Sequence, residues 1–521
     1  MARIPHGSAV RLEEVRATIE AVKAINDNSA LPFNFVSHSP LTNFGYMFGG
    51  LQSKAAALLP ASTDEEVGRT VNNLKLLGAT MLDKGADNGG APDSGIPSLY
   101  TYFGQFVAHD ITLEAVTKDI NLDKPDLRPL TEDEVRASIK NTRVATLDLD
   151  SIYGNDKNPV PRADKDQKSP LLKLGPVSPT GFPAAGDIFK DVPREGYNHN
   201  DLRRDRAALI GDFRNDENVI TSQLNVAFLR AHNALVNDNH TFDEARVILC
   251  QHFQWVVLDD FLNRVADPEV VKAVLADPKP TYDPPESDFF LPLEFTAAAF
   301  RFGHSMTRDS YDYNRTLSGP LKARLYQLFD PLGVWVTLPD MWVIEWGNFV
   351  NGDDNFARRI DTQLVEPLFH LVGEDKKLLK NSMANLAVRN LLRGYILRLP
   401  TGQAAARELG LEPMNEAEVI DAAASQEQKD VLAQTGLAVD TPLWFYTLTE
   451  AAHERAKAEK EDRRVDHLGP VGSRIVAEVL IGLIRRSNDS ILGIEGWEPT
   501  LPRQGERFVL PDILRWAGVL S

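Results

Sequence analysis

The side chains best placed to do chemistry are polar groups set inside apolar helical runs. In YTYFGQFVAHDIT, residues 100–112, Gln105 and His109 are four apart and share one helical face beside Phe103, Phe106 and Val107. Two polar groups on an apolar helix need partners. Taken alone, His109 reads first as a hydrogen-bonded core histidine, and second as a general base aimed into a dry pocket. In GDFRNDENVITSQLNVAFLRAHNAL, residues 211–235, Arg214 precedes a strong helix start. Glu217 falls in that helix's first turn, where a carboxylate is favourable. An arginine there is usually a surface or capping residue, and matters to chemistry only when aimed at developing negative charge. In LEFTAAAFRFGHSM, residues 293–306, small and aromatic residues lead to His304, and Gly303 allows a close approach to the backbone. Base rates make an isolated His304 structural, but its setting also suits an axial ligand of a flat macrocycle. Asn390, mid-helix in NLAVRNLLRG, needs a hydrogen-bond partner, and the second ring nitrogen of a ligand histidine is a suitable one.

A further cluster is LDLDSIYGND, residues 147–156, where Asp148 and Asp150 alternate beside Thr146 and Ser151. Hard oxygen ligands suit calcium. The EF-hand pattern is absent, so the default is a solvated acidic turn. Asp110, next to His109, could add a carboxylate from a second segment, and one ion would then pin the His109 helix.

Helical apolar spacing positions these groups over 97–110, 217–237, 242–265, 289–306, 378–394 and 469–487. Residues 11–26 and 64–82 also read as helices, the second with Asp64 as a possible cap. Asn28–Gly50 and 83–97 read as loops, and 115–135, 155–200 and 266–288 as long irregular stretches. VWVTL at 334–338 is the best strand candidate. The 521 residues allow three or four domains by size, but no Pro/Ser-rich linker divides them. The spacing predicts one mainly helical domain with long loops and very little β-structure. Residues 1–90 are expected to form a helical and loop extension packed on a 91–521 domain.

Composition narrows the function. Lys+Arg 56 against Asp+Glu 74 gives a net charge of −18, which disfavours nucleic acid and anionic membrane surfaces as partners. The single cysteine, Cys250, excludes an intramolecular disulfide and reads as a buried, inert thiol. No apolar leader opens the chain, so a cytoplasmic location is the default expectation, with export by a signal-independent route as the exception. No GxGxxG, P-loop, HExxH, GxSxG or paired CxxC occurs.

Together these segments resemble the animal-type haem peroxidases of the peroxidase–cyclooxygenase superfamily, most of all its bacterial branch. YTYFGQFVAHDIT resembles the distal-histidine helix, LDLDSIYG the calcium loop, GDFRNDEN the distal-arginine stretch and AFRFGHSM the proximal-histidine helix. NLAVRNLLRG with LPTGQ at 399–403 resembles the segment behind the proximal ligand. LGPVGSRIVAEVLIGLI at 468–484 and the terminal PDILRWAG also fit. The motifs keep family order over about four fifths of the chain. The resemblance implies His109 as distal base with Gln105 beside it, Arg214 as distal cation, and His304 as iron ligand with Asn390 accepting its other N–H. It implies Asp110, Thr146, Asp148 and Asp150 as calcium ligands, with Val144 offering only its carbonyl.

Ala108 and Asn218 stand where mammalian members attach haem through aspartate and methionine. Only Glu217 remains, so the resemblance implies haem b with at most one ester link. Fewer links imply a lower reduction potential and weaken the case for chloride oxidation. The implied enzyme is a peroxidase, an oxidoreductase that reduces hydrogen peroxide and oxidises a small donor such as a phenol, halide or thiocyanate. A role in the response to oxidative stress and a monomeric or homodimeric state complete the expectation. The alternatives are a fatty-acid dioxygenase, whose radical tyrosine would stand where this chain has Arg301, and a non-catalytic scaffold or adhesion protein.

Overall fold

A computed structural model describes residues 10–11, 42–85, 93–116, 122–123, 127–155, 158–164, 166–180, 187–198, 200, 205–350, 355–371, 379–461 and 464–521. Helices dominate it. The longest are Asp64–Ala79, Leu99–Ile111, Val219–Asn237, Phe242–Trp255, Leu386–Ile396, Leu443–Lys460 and Pro470–Arg486. Their apolar faces join one continuous core that reaches from Phe44 to Ala517. Leu99–Ile111 packs on Val219–Asn237, Leu386–Ile396 on Asp64–Ala79, and Leu443–Lys460 on the 3-10 turn Ala299–His304. The strands are short. The largest sheet has five, and in it Thr42–Gly45 pairs antiparallel with Ile139–Asn141 and parallel with Phe290–Pro292.

Several sequence expectations shift. The 64–82 helix begins at Asp64, but its cap is Thr63, whose side chain accepts from the Glu66 amide. The 242–265 helix carries a π-turn at Val256–Phe261. The 289–306 stretch is not one helix. It splits into strand Phe290–Pro292, one turn Leu293–Thr296, and the 3-10 turn ending at His304. Pro292 explains the first break, because proline cannot donate within a helix. Within the expected irregular stretch 266–288, Pro268–Ala276 is a helix capped by Asp267 with proline at its first position. VWVTL is a bend rather than a strand. Val334 is 80% exposed and Trp335 40%, so the run has no sheet to join. Residues 83–97 include strand Asp93–Pro97, which pairs with Phe356–Arg358. The expected helix at 11–26 lies outside the described residues apart from Arg11.

Candidate active site

His109 stands near the end of Leu99–Ile111, one of the most apolar helices, and is 5% exposed. Its Nδ1 lies 2.9 Å from Asn215 Oδ1, and Asn215 in turn donates to Asn225 Oδ1 at 3.0 Å. Asn215 therefore presents its oxygen, Nδ1 holds the proton, and Nε2 carries the lone pair. Gln105, one turn earlier, accepts from Asn218 Nδ2 at 3.1 Å. Asn218 also caps Val219–Asn237, accepting from the Thr221 amide.

Arg214 is held on several sides. Nε and Nη2 donate to Asp212 at 3.0 and 2.6 Å, and Nη2 also reaches the carbonyls of His109 and Thr112. A face of Arg214 lines the central cavity. Arg143 approaches Asp212 Oδ2 from the other side at 2.5 Å. Burial would raise the Asp212 carboxyl, but Arg143 and Arg214 override it and hold it well below the usual carboxylate range. Gly211 makes this arrangement possible. A Cβ there would sit 2.5 Å from the carbonyl oxygens of Asp150 and Ser151, against which the Asp212 loop is seated.

His304 ends its 3-10 turn against Trp444, with ring centroids 6.4 Å apart. Asn390 meets it as expected, but with the opposite end of its amide. Arg301 Nη1 donates to Asn390 Oδ1 at 2.7 Å, so Nδ2 faces His304 Nδ1 at 2.8 Å. A guanidinium can only donate, and it claims the amide oxygen first. Arg301 is otherwise tied to the Thr296 carbonyl, and burial pushes it down to about 10.

His109, Gln105, Arg214, Glu217, Arg301 and His304 all line one cavity. Asn390 is fully buried behind it. Gly303 also lines the cavity, and a Cβ there would meet nothing within 4 Å. That open face, a terminal histidine and the rings of Phe44, Phe261, Phe295, Phe300 and Phe302 in the lining fit a flat prosthetic group.

The acidic cluster gathers only in part. Asp110 accepts from the amides of Leu149 at 3.1 Å and Ser151 at 2.8 Å, which ties the His109 helix to the 147–151 segment. Burial, then the charge of Asp150, pushes the Asp110 carboxyl up to about 7. Asp148 turns toward Asn488, which donates to it at 3.2 Å. Thr146 Oγ1, Asp148 Oδ1 and Ser151 Oγ are buried here, Thr146 beside the Asp148 carboxylate and Ser151 beside that of Asp110. Among the described residues, no group of three or more His, Cys, Asp or Glu side chains is arranged to hold a metal ion. Cys250 is buried nearby and donates to the Asp148 carbonyl.

Sequence reasoning missed Asp212, Asn215, Arg143 and the contact of Arg301 with Asn390. Asp212 and Asn215 flank Arg214 in GDFRND, and a run of polar groups before a buried helix was the available signal.

A family model described as animal haem peroxidase matches residues 129–434. The chain belongs to that family. The match starts beyond the His109 helix and includes Arg214, His304 and Asn390. This animal haem peroxidase family member is 24% identical over 299 residues to a peroxidase-like protein of Margaritifera margaritifera, covering 45% of this chain and 35% of the relative. It is 24% identical over 293 residues to peroxinectin A of Dictyostelium discoideum, covering 53% of this chain and 50% of the relative. The matches thus span half or less of those curated relatives. Among solved structures, peroxidase A of Dictyostelium discoideum is similar with a TM-score of 0.53 at 16% identity, covering 86% of this chain and 89% of that one. A fatty acid alpha-dioxygenase of Arabidopsis thaliana is similar with a TM-score of 0.53 at 13% identity, covering 92% and 81%. Both likenesses establish the mainly helical peroxidase fold of this family member. No helix among its described residues is long and apolar enough to cross a membrane.

Proposed function

We propose that the cavity is a peroxidase site that binds haem b at His304, takes hydrogen peroxide on the His109 side and oxidises a small donor such as a phenol, halide or thiocyanate. The observation that carries this reading is the convergence of His109, Arg214 and His304 on one cavity from three distant parts of the chain. Haem, when bound, supplies the iron and the macrocycle that exchange electrons.

The chain supplies proton handling and charge. His109 Nε2 accepts the first peroxide proton and returns it to the departing oxygen, while Asn215 holds the ring's Nδ1–H. Arg214 offers positive charge where the O–O bond breaks, and the Asp212 clamp fixes it in advance. Gln105, oriented by Asn218, provides a second polar group beside His109. Ligation through His304 Nε2 requires Nδ1 to carry the ring proton, so on binding haem Asn390 would turn its amide oxygen from Arg301 to His304. Glu217 is the one carboxylate at the positions where the family forms esters, so at most one covalent link forms.

A calcium ion at Asp110, Thr146, Asp148 and Asp150 is a subsidiary part of the proposal. The burial of the Thr146 and Asp148 side-chain oxygens beside one another supports it. The dioxygenase alternative has Arg301 where it needs a radical tyrosine.

The test is a spectrum and a donor panel. Haem-reconstituted protein should develop a Soret band and turn over guaiacol with peroxide. Failure to bind haem or to consume peroxide overturns the reading, and oxygen uptake with linoleate would favour the dioxygenase.

A further inference from the structure

Two tyrosines line the cavity from the Leu99–Ile111 helix, and the structure treats their hydroxyls differently. Tyr102 is 4% exposed and its hydroxyl neighbours the Tyr311 hydroxyl, with no carboxylate against it. Tyr100 is 1% exposed and donates to Asp260 Oδ2 at 2.6 Å. Asp260 lies in the π-turn Val256–Phe261, the type of helix defect that recurs at functional sites. Arg264 Nε donates to its Oδ1 at 2.6 Å and the Leu510 amide to its Oδ2 at 2.8 Å. The Arg264 guanidinium also lies over the Tyr100 ring, 4.4 Å from the centroid.

This arrangement bears on oxidation. A phenol gives up an electron readily only when its proton can leave too, because the oxidised phenol is a strong acid. Tyr100 has a carboxylate oxygen fixed at hydrogen-bond distance for that proton, and Tyr102 has none.

We propose that Tyr100 is a redox-active tyrosine that, with Asp260 as its proton acceptor, yields one electron to haem oxidised by hydrogen peroxide. The proposal rests on the peroxidase reading above. The balance is internal to the site. One electron leaves the Tyr100 ring and reduces the oxidised haem by one equivalent. The phenolic O–H bond breaks and the proton bonds to Asp260 Oδ2, leaving a neutral tyrosyl radical. A phenolic donor resets the site. It gives one electron to the radical and its own proton to water, and Asp260 returns its proton to the Tyr100 oxygen. The radical thus holds an oxidising equivalent in the protein when no donor is present.

The experiment mixes haem-loaded protein with hydrogen peroxide in the absence of donor, freezes it within the turnover time, and records electron paramagnetic resonance spectra. The haem absorbance and the peroxide consumed are read on the same samples. The wild type should give a tyrosyl signal whose hyperfine pattern narrows when the protein carries ring-deuterated tyrosine. Tyr100→Phe, which keeps the ring packing, should lose that signal, and Tyr102→Phe should keep it. A wild type that consumes peroxide without forming a tyrosyl radical, or a radical that survives in Tyr100→Phe, overturns this proposal and spares the peroxidase reading. A wild type whose haem does not react with peroxide overturns both.

Discussion

His109 and His304 enter the cavity with different partners on their Nδ1 atoms, an amide oxygen for the first and an amide nitrogen for the second. The roles proposed for them differ, and so should their losses. His304→Ala should bind haem weakly or not at all, read as a lost Soret band. His109→Ala should keep haem but react with peroxide about 100- to 10,000-fold more slowly, read by stopped flow. Asn390→Ala should weaken haem retention by about 10- to 100-fold, read by transfer to a haem acceptor protein. At this scale the sequence exposed the histidines because they interrupt apolar helices. It hid the orientation of Asn390, because nothing local reveals that Arg301, 89 positions away, takes the amide oxygen.

Elements place these residues through their ends. The Pro470–Arg486 helix starts on Glu450, which accepts from the amides of Val471 and Gly472 at 2.9 and 3.2 Å. Burial outweighs those bonds and pushes the Glu450 carboxyl up to about 8. In the unfolded chain it has an ordinary value near 4.5. Between those values the folded state keeps a proton that the unfolded state has released. Glu450 thus contributes its full stability below about pH 4.5 and loses it as pH rises to about 8. Glu450→Gln should gain stability over wild type across that window, at up to about 1.4 kcal/mol per pH unit, measured by urea unfolding at several pH values. Gly211→Ala should push the Asp212 loop off Asp150 and Ser151 and destabilise by about 1–3 kcal/mol. Helices with strong apolar periodicity were legible in the sequence. The broken 289–306 segment was not, because its residues alternate between core contacts and cavity walls, and tertiary packing decides where the helix stops.

Across the described residues one main core runs from Phe44 to Ala517, with a small satellite at Val192, Ala208, Ile210 and Val226, and groups from residue 105 to 304 meet at one cavity. Leu74, Leu77 and Met81 belong to that same core, so the early residues are continuous with it. A calcium ion would bridge the His109 helix to the 147–151 segment, and chelation would then act on global stability. Calcium at 100 times its dissociation constant should add about 2.7 kcal/mol, read as a melting temperature that falls with EGTA and returns with calcium. No change with either would exclude the ion.

One further consequence concerns how this site can vary. Arg214 is fastened to the carbonyls of His109 and Thr112, at the C-terminal end of the Leu99–Ile111 helix, and to an aspartate shared with Arg143. His109 and Arg214 therefore move as one mechanical part. Substitutions at positions 109, 143, 212 and 214 should be strongly non-additive in double-mutant cycles, and such a quartet is expected to be inherited as a block rather than tuned one residue at a time.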